Sequence, residues 1–383
     1  MLRRIREVFA ETYGRSPVVV TFAPGRIEII GNHTDYNGGP VLGAAIDRGI
    51  WVALALRADG RQRFASDYCG DLKPVEIEPT LPTKRSGMDA WINYPLGVLS
   101  VLPSFGFQFS LGFDFLALSD LPSGAGLSSS AAIELASAMA FLAATGQTCS
   151  AVTLAQIGRK AENDFVGVPC GILDQGVSAF GQADHLVHLN CSTLKYLQLP
   201  LPTDANFWVF NTHTRHALVD GLYATRHREC LHAAVSLGVR HLAESTLEHL
   251  DMWQDRMPAN VAKRARHILN EIGRVKEVTR LLAAGKTGQV GAQLTVSHLS
   301  SRQLFENSSQ ELDFLVDGLV AMPGVHGARL TGGGFGGAVL ALTTPDFDAA
   351  QAAEVAESYF SRFGTAPDIL RLRAGNGASV IAA

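Results

Sequence analysis

A chain of 383 residues, 47 % hydrophobic and 18 % charged, is long enough for two domains or one two-lobed enzyme with a sizeable core. Its net charge of −4, with Lys and Arg scattered along it, offers no basic patch for phosphodiesters and argues against a nucleic-acid partner. The five cysteines, Cys69, Cys149, Cys170, Cys191 and Cys230, include no CxxC pair and read as reduced thiols.

Leu2, Ile5 and Phe9 suit one face of a short N-terminal helix, and the acids that follow the basic start come too early for a signal sequence. No apolar run approaches the roughly 20 residues that span a bilayer. A cytoplasmic protein without a membrane partner is expected. Residues 17–22 and 41–56, rich in β-branched and apolar types, read as strands. Between them, residues 23–39 read as a loop crowded with turn formers and hydrogen-bonding side chains. Arg26 offers a planar fork of donors, ionised Asp35 only acceptors, and Asn32, His33 and Thr34 both, which is the inventory needed to encircle a polyol.

Residues 59–85 read as hairpins, 91–102 as helix and 107–118 as a strand. The turn-rich stretch from Leu121 to Ser130 then feeds a helical run from Ala131 to Phe141. A glycine-rich turn at a helix N-terminus presents unpaired N–H groups and a positive dipole end, an anion site, although the Gly-Lys-Ser/Thr of a Walker A loop is missing. Leu154, Ile157, Ala161 and Phe165 mark another helix, and Gly171-Ile172-Leu173-Asp174-Gln175 places an acid just after a Pro-Cys-Gly turn. Residues 217–237 and 259–284 are helical. Gly332, Gly334 and Gly337 satisfy G-x-G-x-x-G, yet a strand follows where a dinucleotide-binding loop would open a helix. The histidine pairs His185/His188 and His213/His216 do not suggest a zinc site. Leu199-Pro200-Leu201-Pro202 marks a boundary between domains at 1–200 and 201–383.

Three of these segments together resemble the galactokinases of the GHMP kinase superfamily: the sugar signature at 23–39, the phosphate motif formed by Pro122, Gly126, Leu127, Ser128, Ser129, Ser130 and Ala131, and the glycine run at 332–337. The resemblance implies an α+β, two-domain GHMP kinase fold with the active site in the interdomain cleft. It implies ATP-dependent phosphorylation of the anomeric hydroxyl of galactose, giving galactose 1-phosphate and ADP. Arg26 and Asp174 would be the catalytic pair. Arg26, Asn32, His33, Asp35, Gly171, Asp174 and Tyr223 would line the sugar site, and Gly124, Ala125, Gly126, Leu127, Ser128, Ser129 and Ser130 would cradle the ATP phosphates. Trp91 and Tyr94 would flank adenine, and Ser130 and Glu162 would hold magnesium, which takes few protein oxygens and completes its shell from phosphate and water.

Phosphoryl transfer through a loose transition state needs positioning and charge neutralisation more than a strong base. A guanidinium favours the charged form of a neighbouring carboxylate, so Asp174 is expected to orient the hydroxyl and accept its proton late. One position departs from the resemblance. The family usually carries Glu, near the sugar's C6 hydroxyl, where this chain has Asn32, which would keep galactose or admit galacturonate, L-arabinose or N-acetylgalactosamine. A non-catalytic sugar and ATP sensor on the same fold is the alternative of another class; the retained Ser128-Ser129-Ser130-Ala131, Arg26 and Asp174 argue against it.

Overall fold

The apolar, β-branched run that starts at Val19 does not stop at Phe22. In the computed structural model, which describes residues 1–78, 83–122, 126–215 and 219–382, it continues as β1 (Val19–Ile30). Pro24 and Gly25 stay within it because the register against the next strand slips between Pro24 and Arg26, a bulge of the kind in which a strand tolerates proline. The segment expected as a single loop between two strands is thus strand first and loop second, with only residues 31–39 turning.

Among the described residues the remaining strands are β2 (Pro40–Arg57), β3 (Gln62–Ser66), β4 (Val75–Ile77), β5 (Gly112–Ser119), β6 (His185–Asn190), β7 (Tyr196–Pro200), β8 (Asn206–Arg215), β9 (Val325–Thr331), β10 (Gly336–Thr343), β11 (Asp368–Arg371) and β12 (Ser379–Ala382). The helices are α1 (Leu2–Tyr13), α2 (Asn93–Val101), α3 (Ser129–Ala144), α4 (Ala151–Lys160), α5 (Leu173–Phe180), α6 (Val219–Ser236), α7 (Leu247–Trp253), α8 (Ala259–Ala283), α9 (Thr287–Ser300), α10 (Gln310–Ala321) and α11 (Ala349–Phe363). No helix among the described residues is long and apolar enough to cross a membrane.

One sheet runs β12-β1-β2-β5-β3-β4, with β6 paired to the start of β2 and β7 to β6; the other runs β11-β8-β10-β9. The polar interval expected as hairpins holds the antiparallel pair β3–β4, and β3 lies parallel to β5. The chain passes from the first sheet to the second between β7 and β8, across the Pro-rich break, but β12 then returns to pair with β1. The first lobe is therefore built from both ends of the described chain.

The lobes share a core. Ile27, Ile29 and Leu42 of the first sheet, Val209, Leu340 and Leu342 of the second, and Val275, Val278, Val290 and Leu294 of α8 and α9 form one buried apolar cluster. Each such side chain, fully buried, contributes about 1.5–3 kcal/mol, so the seam between the lobes is held by the same hydrophobic effect as either interior. A polar tie fixes the loop above this seam. Glu271 on α8, with 0 % exposure, accepts the N–H groups of Gly31 (3.1 Å) and Asn32 (3.2 Å) and the hydroxyl of Ser297 (2.7 Å), and pairs with Arg274 at 2.6 Å.

Burial alone would raise the Glu271 pKa, but Arg274 and Arg329 overcome it and hold the value near about 2. A carboxylate with a depressed folded pKa stabilises the fold above its ordinary range and loses that contribution as the pH falls toward the folded value. Glu271→Ala, which strands the Arg274 charge and two buried N–H groups, is expected to lower the urea-unfolding free energy at pH 7 by about 3–5 kcal/mol. The deficit should stay level down to about pH 5 and narrow in stronger acid. An equal deficit at every pH would show that the charge of Glu271 is not what holds the loop.

Candidate active site

Gly25 brings the phosphate loop onto β1. A Cβ there would stand 2.6 Å from the carbonyl oxygen of Leu127, so only glycine lets the two backbones lie together, and Arg26 N donates to that same oxygen at 3.0 Å. Leu127 anchors its side chain in the seam core. Ser128 follows in the left-handed region, φ 59°, immediately before α3, a sparsely populated conformation for a residue with a side chain. Its hydroxyl does not cap the helix; it donates to Asp174 Oδ2 at 2.6 Å.

Asp174 lies in the first turn of α5 and takes Arg26 on its other oxygen, Nε to Oδ1 at 2.7 Å and Nη2 to Oδ1 at 2.6 Å, while Arg26 Nη1 donates to Gly126 O at 2.7 Å. The Arg26 side chain is 8 % exposed and that of Asp174 27 %, so the guanidinium backs the carboxylate and the carboxylate faces the opening. Both oxygens of the acid are fixed in direction before any ligand arrives.

The opening is a cavity of about 440 Å³ between the lobes. Arg26, Asn32, His33, Asp35, Gly171, Asp174 and Tyr223 all line it, so the structure gathers every residue expected at the sugar site into one place. Gly171 leaves room for Asp35: a Cβ on Gly171 would fall 1.9 Å from Asp35 Oδ2. Burial, with the charge of Asp174 adding to it, raises the Asp35 pKa to about 6. His33 is held neutral, its pKa lowered to about 3 by burial. Its Nε2 faces the carbonyl of Gly333 at 3.0 Å, which can only accept, so Nε2 carries the proton and Nδ1 accepts from the Tyr36 hydroxyl at 2.9 Å.

Two members of the signature act inwardly. Thr34, 0 % exposed, directs its hydroxyl to Gly31 O (2.8 Å) and Pro40 O (2.7 Å), closing the turn rather than meeting a ligand. Asn32 donates from Nδ2 to Gly332 O (2.7 Å) and Glu28 Oε1 (3.3 Å), and its Oδ1 accepts from Asn307 (2.8 Å) and Ser301 (3.4 Å). The glycine run contributes through its backbone. Gly332 to Phe335 line the cavity, and the run turns from β9 into β10, a strand-to-strand connection and not a dinucleotide loop.

Glu162 also lines the cavity; its Oε2 accepts from Gln175 Nε2 at 2.6 Å and Cys170 Sγ at 3.4 Å, and burial raises its pKa while the neighbouring Ser130 hydroxyl opposes the rise. Among the described residues no set of three or more His, Cys, Asp and Glu side chains is placed to hold a metal. Trp91 and Tyr94 are not among the lining residues. Trp91 is 7 % exposed and packs its ring against Phe64 and Phe115 in the first-lobe core, with Tyr94 beside that core. Gly124 and Ala125 lie outside the described residues.

Sequence reasoning passed over Glu28, Arg329 and Asn307. Glu28 lines the cavity at 4 % exposure, and Arg329 Nη1 donates to its Oε1 at 2.8 Å. Burial raises the Glu28 pKa and Arg329 opposes that shift. The period of a strand puts Glu28 on the face of Arg26, a signal hidden by reading 23–30 as loop. Asn307 follows a single π turn with no pattern of its own.

The galactokinase galactose-binding signature matches residues 7–56, the N-terminal domain of GHMP kinases residues 93–182 and their C-terminal domain residues 278–362. The chain is 36 % identical to a galactokinase of Actinobacillus succinogenes over 375 residues, 94 % of each chain. It is 33 % identical to the human galactokinase, over 100 % of this chain and 97 % of that one. The crystal structure of Lactococcus lactis galactokinase complexed with galactose matches it with a TM-score of 0.95 at 33 % identity over 99 % of both chains. A mevalonate kinase structure, at 16 % identity and a TM-score of 0.62, shares the fold. The chain belongs to the galactokinase family of GHMP kinases.

Proposed function

We propose that this protein transfers the γ-phosphoryl group of ATP to the anomeric hydroxyl of galactose, giving galactose 1-phosphate and ADP. The observation that carries the reading is the Arg26–Asp174–Ser128 constellation, in which one carboxylate is fixed on both oxygens and faces the cavity that also holds His33, Asp35, Gly171 and Tyr223. The full-length similarity to galactokinases supports the same reading.

The sugar's anomeric hydroxyl takes the place of Ser128 as donor to Asp174 Oδ2. Its oxygen forms the new bond to the γ-phosphorus as the bond to the β,γ-bridging oxygen of ATP breaks, and its proton passes late to Asp174. Arg26, already aligned on Oδ1, neutralises negative charge as it spreads over the transferring phosphoryl oxygens. Asp35 accepts sugar hydroxyls in its ionised form, and neutral His33 gives the pocket a wall that does not attract a counter-charge.

The phosphate cradle is assigned to the loop Gly124, Ala125, Gly126, Leu127, Ser128, Ser129 and Ser130, where it enters α3. A neighbouring hydroxyl and carboxylate, Ser130 and Glu162, are the hard oxygen donors that suit magnesium. Glu162 Oε2 already accepts from Gln175 and Cys170, so the carboxylate is held in place beside the cavity where it would meet the ion. When bound, the ion would offset the charge of the β- and γ-phosphates.

Asp174→Asn and Arg26→Ala are each expected to lower kcat by about 10²-fold or more with little change in ATP affinity. Steady-state kinetics with a coupled ADP assay reads this, and near-native turnover in either variant removes that residue from the mechanism. A second expectation concerns pH. Asp35 must lose its proton to accept hydroxyls, so galactose affinity measured by calorimetry should weaken as the pH falls through about 6. In Asp174→Asn the like charge that helps raise Asp35 is gone, and the midpoint should move to lower pH. A midpoint unchanged in that variant would show that the limb belongs to another group.

A further inference from the structure

The amide of Asn32 has nothing left to offer a ligand. Its two N–H groups go to Gly332 O and Glu28, its oxygen takes Asn307 and Ser301, and the residue is 0 % exposed. A sugar hydroxyl at that corner would have to displace one of these bonds. Glu28, on the same edge of the cavity, is placed differently. Both protein donors to its carboxylate, Arg329 and Asn32, fall on Oε1, and the residue keeps 4 % exposure where it lines the cavity. Oε2 is the oxygen left to a ligand.

The two positions are also linked by charge. Asn32 Nδ2 lies 3.3 Å from Glu28 Oε1, so a glutamate at position 32 would set two carboxylates in contact, with Arg329, the cation hydrogen-bonded to Glu28, to offset them. A neutral amide that donates to Glu28 removes that repulsion and aims the remaining carboxylate. We infer that Glu28, and not Asn32, is the residue through which this enzyme recognises a sugar hydroxyl at this corner, with Asn32 acting as the positioning residue that holds it. The inference rests on the galactose 1-kinase reading and moves one specificity contact of that site from the loop to β1.

The test is a cycle between side chain and substrate hydroxyl. Galactose and its 2-, 3-, 4- and 6-deoxy analogues are assayed with the wild type, Glu28→Gln and Asn32→Ala. Glu28→Gln is expected to lower kcat/KM for galactose on the order of 10- to 100-fold, chiefly through KM, because a charge-assisted bond becomes a neutral one. For one deoxy analogue the same substitution should cost less than about 3-fold, since the hydroxyl it served is already absent. Asn32→Ala should lower all five sugars by a similar factor. All sugars are measured on one preparation, so a reduced folded fraction cancels in the ratios.

Glu28→Gln falling in parallel on every sugar would overturn the inference and leave Glu28 as the partner of Arg329 alone. So would an analogue-specific loss seen in Asn32→Ala and not in Glu28→Gln. A wild type that fails to phosphorylate galactose would instead sink the 1-kinase reading, a distinct result visible before any variant is compared.

Discussion

The fork of Arg26 on Asp174 is the constraint around which the site is arranged. Arg26 sits on β1, the second strand of the first sheet, Asp174 in the first turn of α5, and the loop carbonyl of Gly126 takes the third donor. One guanidinium therefore fixes the strand, the helix and the phosphate loop relative to one another. A planar group with five donors in a fixed fork sets the direction of each bond, where the three rotatable donors of a lysine would not. The bulge at Pro24 and the missing side chain at Gly25 are the backbone conditions for this arrangement, because they let Leu127 lie against β1.

The seam between the lobes carries an unusual load of buried charge. Glu28 with Arg329 and Glu271 with Arg274 all come close to the loop that bears His33 and Asp35. Buried pairs of this kind contribute little net stability compared with apolar packing, and breaking one is costly. Their effect here is geometric. The apolar cluster across the seam supplies adhesion without direction, and the ion pairs with their backbone bonds set the direction. Asp35 and Asp174, two carboxylates sharing a small cavity, can coexist because Arg26 and Ser128 take up one of them.

Much of this was legible in the sequence for a physical reason: the groups that line the cavity come largely from short contiguous segments whose turn chemistry demands particular residues. Gly171 was legible only through the family resemblance, for which the fold supplies the reason that nothing larger fits beside Asp35, and the α8 helix was legible because Val261, Ala265, Ile268, Ile272 and Val275 keep a helical period. What stayed hidden was of two kinds. Helix α9 buries Gly291, Ser297 and His298 beside Val290 and Leu294, which dilutes its apolar stripe. The contacts of Ser128 with Asp174 and of Glu28 with Arg329 join residues distant in the chain, and no local pattern reports them. Trp91 marks a limit of another kind, since an aromatic residue in a core and one in a nucleotide pocket look the same in a sequence.

The return of β12 to the edge of β1 has a consequence for how the molecule comes into being. The ribosome delivers the arginine strand early, yet its outer neighbour, residues 379–382, emerges only after the whole second lobe has been made. Until then the strand that bears Arg26 presents an unpaired edge, the kind of surface on which nascent chains pair wrongly. Closing the first lobe thus requires pairing residues as far apart in the chain as Val20 and Ala382, which slows folding relative to a lobe finished from one contiguous segment. The strand that bears Arg26 is made well before the partner that covers its edge.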